Sequence, residues 1–237
     1  MAALSSAAPK PLARCLSTVE HGGSEDLAAF TSTFKPLTEK TAEGKRALKA
    51  AWSKADPNGN KLCSLAELDS FVENMLQSTH GTDRGSALYK LFRPSIINAF
   101  NDAKDYKKDD GKVILGTAAA TQDDFVSPEE FRLFCAYAVI YAAMYDGFST
   151  IDGGSAGREG DDRRIDLDEW LAGYENLAGY GFVAFVDIKN DESATAAFQA
   201  MDKNQGGFVL LDEYCKFVKE AEIENGTALG AMLAADQ

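Results

Sequence analysis

Oxygen-bearing residues recur at fixed spacing near the C-terminus. Asp202, Asn204, Gly206, Phe208, Leu210 and Glu213 stand at positions 1, 3, 5, 7, 9 and 12 of a twelve-residue run, with Gly207 at position 6. A calcium ion takes about 6–8 oxygen ligands, and a loop of this length delivers them from those six positions, position 7 through its carbonyl and position 12 through a bidentate Glu; Gly at position 6 makes the sharp turn. The metal ligands predicted here are Asp202, Asn204, Gly206, Phe208 and Glu213. An ordinary turn of the pattern Asp-x-Asn-x-Gly-Gly between helices would explain the first half of the run, but not the Glu at its end.

A second copy places Asp56, Asn58, Asn60, the Leu62 carbonyl, Ser64 and Glu67 at the same positions. It departs at Lys61, where the backbone calls for glycine, and at Cys63, where a branched apolar residue is usual. Lys61 must take a positive φ that side chains disfavour. The run is therefore either a second calcium loop or a loop kept for structure. Each of the two runs carries only two carboxylates at ligand positions, which predicts dissociation constants of roughly 10⁻⁶ to 10⁻⁴ M rather than the buffer range near 10⁻⁸ M.

Two further copies are irregular. Asp152 opens one and Glu169 closes it, but the span is 18 residues. Counting twelve back from Glu169 puts Arg158, a cation, at the first ligand position. Either the loop carries an insertion that is acidic at Asp161 and Asp162, leaving Asp152, Asp162 and Glu169 as candidate ligands, or it has lost the metal. The other copy has only an exit, Val126-Ser127-Pro128-Glu129-Glu130-Phe131, after a helix expected to end near Phe100. A polar insertion of mixed charge, Asp102 to Gly116, separates the two parts and is expected to be solvated.

These runs need helices to hold them, and the flanks supply the pattern. Phe198 and Met201 precede the last loop and Tyr214, Phe217 and Val218 follow it; Trp52 precedes the first and Leu68, Phe71 and Val72 follow. Apolar residues at position 8, such as Val209, should pair neighbouring loops through a short antiparallel strand contact. A long helix is predicted from Arg132 to Ile151. Its Phe131, Phe134, Cys135, Ala138, Tyr141, Ala142 and Tyr145 fit a period near 3.6 and predict one core-facing stripe.

Composition narrows the functional classes. The 237 residues are 45% hydrophobic and 26% charged, which suits a folded chain. A formal charge of −13, from 24 Lys and Arg against 37 Asp and Glu, argues against a nucleic-acid surface. The four cysteines, Cys15, Cys63, Cys135 and Cys215, lack zinc or redox spacing and are expected to be reduced thiols in a cytoplasmic protein. The longest apolar stretch, Phe131 to Met144, is too short for a bilayer and contains Arg132, so no transmembrane segment is expected. No nucleophile motif accompanies His21 or His80, both expected in loops, and no enzymatic activity is predicted.

Taken with their spacing, these residues resemble the EF-hand superfamily, and within it the flagellar calcium-binding proteins, the calflagins, and their axonemal relatives. The resemblance is carried by Lys61, Leu62 and Cys63; by Ser127 through Leu133 with an aromatic helix after them; by Ile151 and Asp152; and by Asp202, Lys203, Asn204 and Glu213. It covers roughly residues 40 to 222 and implies an all-α fold of two EF-hand pairs joined by the long helix, with Ca2+ as cofactor. The expected organisation is an N-terminal extension over 1–35, an N-terminal pair over 36–142, a C-terminal pair over 143–224 and a tail over 225–237. The family implies a calcium sensor or adaptor in a cilium or flagellum that engages a target helix or an axonemal, microtubule-associated protein; a mainly structural axonemal role is the alternative. Calflagins anchor through an acylated N-terminal Gly and a nearby Cys. This chain begins Met-Ala-Ala-Leu, so membrane anchoring is not expected, and Cys15 alone would give only marginal binding.

Overall fold

A computed structural model of the chain describes residues 23–104, 124–153 and 163–233. It is built almost wholly of helices: α1 (Glu25–Thr38), α2 (Ala42–Ala55), α3 (Leu65–His80), α4 (Thr82–Lys104), α5 (Phe131–Ile151), α6 (Leu167–Gly173), α7 (Asp191–Met201), α8 (Leu211–Glu224) and α9 (Ala228–Leu233). Two-residue strands, β1 (Arg164–Ile165) and β2 (Val209–Leu210), pair antiparallel, and 3₁₀ turns cover Tyr174–Tyr180 and Val183–Phe185. The all-α expectation holds among the described residues.

Local signals start these helices. Ser24, Thr41, Ser64, Asp166 and Asn190 each accept a hydrogen bond from a first-turn N–H, and Glu67 and Glu169 complete capping boxes by reaching back to the cap residue's own N–H. The α3–α4 turn passes through Gly81 at φ 86°, a left-handed conformation that glycine enters without penalty. Gly85 then lets α4 run tight against α3, because a Cβ there would meet the Gln77 backbone within 2.3 Å.

Helix α5 lies at the centre. The sequence predicts one buried stripe, but every residue from Phe131 to Ile151 is buried except Arg132, Leu133 and Thr150. The reason is that α1 and α4 pack on it from one half of the chain while α6, α8 and the Tyr174–Tyr180 turn pack on it from the other. Small residues such as Ala136, Ala138, Ala142, Ala143 and Gly147 let so many neighbours approach. The buried apolar residues of both halves form one continuous core.

Two sequence boundaries move. The expected extension to residue 35 contains α1, whose Leu27, Phe30, Phe34 and Leu37 are buried at helical spacing; residues 1–22 lie outside the described residues. In the expected tail, α9 buries Leu229 and Leu233, and Tyr137 donates to the Met232 carbonyl at 3.1 Å. The helix expected to end near Phe100 continues to Lys104, so Asp102 belongs to a helix and not to a solvated insertion. His80 ends α3 rather than sitting in a loop, and its Nε2 lies 2.9 Å from Thr33 Oγ1 on α1.

Candidate metal-binding loops

The loop between α2 and α3 and the loop between α7 and α8 share one set of hydrogen bonds. Each begins with an aspartate whose N–H closes the preceding helix: Asp56 onto the Trp52 carbonyl, and Asp202 onto the Phe198 carbonyl, both at 2.9 Å. The aspartate side chain then gathers the turn. Asp56 accepts from the N–H groups of Asn60 and Lys61 at 3.1 and 3.0 Å, and Asp202 accepts from Gly206 and Gly207, both at 2.9 Å.

The position 3 amide crosses the loop to the terminal glutamate. Asn58 Nδ2 donates to Glu67 Oε1, and Asn204 Nδ2 to Glu213 Oε1, each at 2.7 Å. The second glutamate oxygen accepts the position 9 N–H, from Ser64 at 2.9 Å and from Leu210 at 3.1 Å. Positive φ falls at positions 4 and 6 in both: Gly59 at 71° and Lys61 at 65°, Gln205 at 56° and Gly207 at 81°. Lys61 therefore makes the turn that glycine makes in the other loop, at the strain its type imposes.

Residues 1, 3 and 12 thus converge around one centre in each loop. Loop 56–67 adds side-chain oxygens at Asn60 and Ser64, although Asn60 Oδ1 is engaged by the Leu62 N–H at 2.8 Å. In loop 202–213 the corresponding positions are Gly206 and Leu210, so only main-chain oxygen is offered there. Phe208, expected to contribute its carbonyl, keeps its ring partly exposed with the Arg164 guanidinium 5.8 Å above it. Among the described residues no three of His, Cys, Asp and Glu form a metal cluster. Both donor sets are carboxylate, amide and carbonyl oxygens, which suits a hard cation such as calcium rather than zinc or copper. The donor chemistry fits. An amide N–H now bridges positions 3 and 12, and turning that amide presents its oxygen instead.

Position 8 ties loops into pairs. Cys63 and Val126 exchange N–H···O bonds at 2.8 and 2.9 Å, and Ile165 pairs with Val209. All four side chains are fully buried. Burial first, and then the Asp56 and Glu67 charges, push the Cys63 thiol up to about 12.

The two irregular copies keep the halves that are described. Ser127 donates its N–H to Glu130 Oε2 at 2.8 Å, and Asp166 to Glu169 Oε2 at 3.0 Å, repeating the exit of the full loops. Arg163, at the position equivalent to Lys61 and Gly207, has φ 63°. Counting back from Glu169 puts Arg163 at position 6, whereas counting on from Asp152 does not. Asp152 closes α5 through its N–H to the Phe148 carbonyl at 3.0 Å, as Asp56 and Asp202 close their helices. Asp162, and the insertion beyond Lys104, lie outside the described residues.

Two polar contacts between distant segments had no sequence signal. Asp146, buried in α5, accepts from the Ser24 N–H at 2.9 Å, from the Ser24 hydroxyl and from Tyr180 Oη at 2.6 Å. Burial and the Asp146 charge together raise the Tyr180 hydroxyl above its usual range. Asp102 on α4 accepts from Tyr141 Oη and from Lys219 Nζ of α8, the latter at 2.7 Å. Compared with known proteins, the chain matches no family model and no curated sequence.

Proposed function

We propose that this chain is a calcium-binding protein of the EF-hand type, with loops 56–67 and 202–213 as its metal sites and calcium sensing or adaptor activity as its role. One observation carries the reading: the two loops, far apart in sequence, repeat the same hydrogen bonds at positions 1, 3, 5, 6, 9 and 12. An ordinary turn has no need to bring a first-position carboxylate, a third-position amide and a twelfth-position carboxylate together. A twelve-residue oxygen-donor loop does. The pairing of loops through position 8 supports two hands per unit and gives the irregular copies a structural part.

As a sensor, the chain would respond to calcium at Asp202 and Glu213 by moving α8 relative to α7, and α8 packs on α5 and α9. A structural reading is favoured by the burial of α5 on all sides and by α9 covering α8, since such a core resists opening. The resemblance to calflagins supports a ciliary or flagellar setting and a target-helix or axonemal partner.

Calorimetric titration with calcium, repeated with magnesium, tests the assignment. The wild-type chain should bind one or two calcium ions. Glu213→Gln should weaken one step by at least about tenfold, and Glu67→Gln should weaken another. Absence of calcium binding, or retention of every step in both variants, overturns the proposal.

A further inference from the structure

Five of the cations of this acidic chain sit close together: Lys40, Lys45, Arg46, Lys49 and Lys54, with Glu43 as the one acidic residue between them. All five belong to α2 or the residues beside it, and all are exposed. Among the described residues none of the five forms an ion pair, although carboxylates elsewhere pair with Arg84, Arg93, Lys189, Lys203 and Lys219.

The arrangement on the helix is ordered. Helix α2 buries a narrow edge at Gly44, Ala51 and Ala55, and packs chiefly on α1 and α3. At about 100° per residue, Lys45, Arg46 and Lys49 fall within an arc of about 100° on the solvent side, away from that edge. Ala42 and Ser53 lie among them and Ala50 beside them, so the stripe is flat and its charges are open to close approach. The large apolar residues of the helix point elsewhere: Trp52 is half-buried and packs on Phe131 with ring centroids 5.2 Å apart, and Leu48 lies against the core.

We infer that the outer face of α2 is a docking surface for an acidic polypeptide segment, one whose carboxylates match the Lys45, Arg46 and Lys49 stripe. The inference is independent of calcium binding. Charge complementarity selects the class of partner, because the remainder of the chain is even more negative than its total of −13. A broad anionic surface, whether bilayer or nucleic-acid duplex, brings its charge against the rest of the protein within a Debye length of about 8 Å and is repelled. A single narrow peptide meets the stripe alone. The solvent face also carries no large apolar side chain that a membrane-surface helix would insert.

The test is fluorescence anisotropy with a labelled twelve-residue peptide of alternating Glu and Ala, in chelator. Alongside it run vesicles containing phosphatidylserine, a short DNA duplex and a Lys-Ala peptide. Two full-length variants of equal net charge separate patch from total charge: Lys45→Glu with Arg46→Glu and Lys49→Glu, and Lys90→Glu with Lys189→Glu and Lys216→Glu, all at exposed positions. A neutral variant, Lys45→Gln with Arg46→Gln and Lys49→Gln, guards against misfolding, and circular dichroism confirms helicity for each.

The Glu-Ala peptide should bind the wild type, more weakly as salt rises. The patch variants should weaken binding at least about tenfold, and the distant variant by less than about threefold. Equal loss in both Glu variants, no peptide binding by the wild type, or stronger binding of vesicles or DNA than of the peptide overturns the inference.

Discussion

Lys61 holds φ 65° at the position where the other loop has glycine at φ 81°, and replacing it isolates the energetics of that turn. A side chain in the left-handed region costs roughly 1–2 kcal/mol. Glycine removes that cost but gives up about 0.5–1 kcal/mol through the freer unfolded chain. Lys61 is exposed and its N–H, which bonds Asp56, is kept by the substitution. Lys61→Gly should therefore stabilise the protein by about 0.5–1 kcal/mol, or about 1–4 °C in Tm for a chain of this size.

Gly207→Ala supplies the reverse. No atom lies within 4 Å of a Cβ built there, so no clash adds to its loss of about 0.5–1 kcal/mol, which is backbone strain less the gain from a stiffer unfolded chain. Urea unfolding in chelator measures both without metal linkage. Because the strained turn is already present, Lys61→Gly should change calcium affinity by less than about threefold; a ligand gains only from a difference between states. Destabilisation by Lys61→Gly, or neutrality of Gly207→Ala, refutes the reasoning.

Asp146→Asn leaves one of its three donors unsatisfied in a buried site and should cost about 1–3 kcal/mol in urea unfolding; an unchanged midpoint would deny the Asp146 contacts any weight. Lys219→Met and Asp102→Asn should each cost about 1–2 kcal/mol, and the double variant less than their sum, since each removes the same contact between α4 and α8. Strict additivity would disprove that coupling. In a Trp52→Phe variant, emission reports Trp170, which is fully buried and donates to the Ala194 carbonyl of α7 at 2.7 Å. Calcium should shift that emission if the chain is a sensor, and an unchanged spectrum with calcium bound selects the structural reading. Burial raises the Cys135 thiol above the ordinary 9.0, so the folded state keeps a proton that the unfolded state releases above about pH 9. Stability should fall as pH rises through that range, and Cys135 should resist iodoacetamide until the chain unfolds. Rapid native alkylation would contradict its burial.

What the sequence determined by itself is local. The twelve-residue spacing of Asp56 to Glu67 and Asp202 to Glu213, the apolar position 8 and the helices on either side were legible because these bonds join residues only a few positions apart. Composition and order within such a short stretch decide them, and even the positive φ of Lys61 was readable from its place in the loop.

The tertiary structure alone decided membership and pairing. Nothing in the 3.6 period of Phe131 to Tyr145 says whether one face or all faces of α5 will be covered; that depends on α1, α4, α6 and α8 arriving from segments distant in the chain. Likewise Asp102 reads as part of a polar stretch until Lys219 and Tyr141 meet it, and Ser24 reads as part of an N-terminal extension until Asp146 accepts its N–H. Such contacts join residues 39 to 122 positions apart. The free energy that selects them comes from burying whole faces together, and no local spacing records that choice.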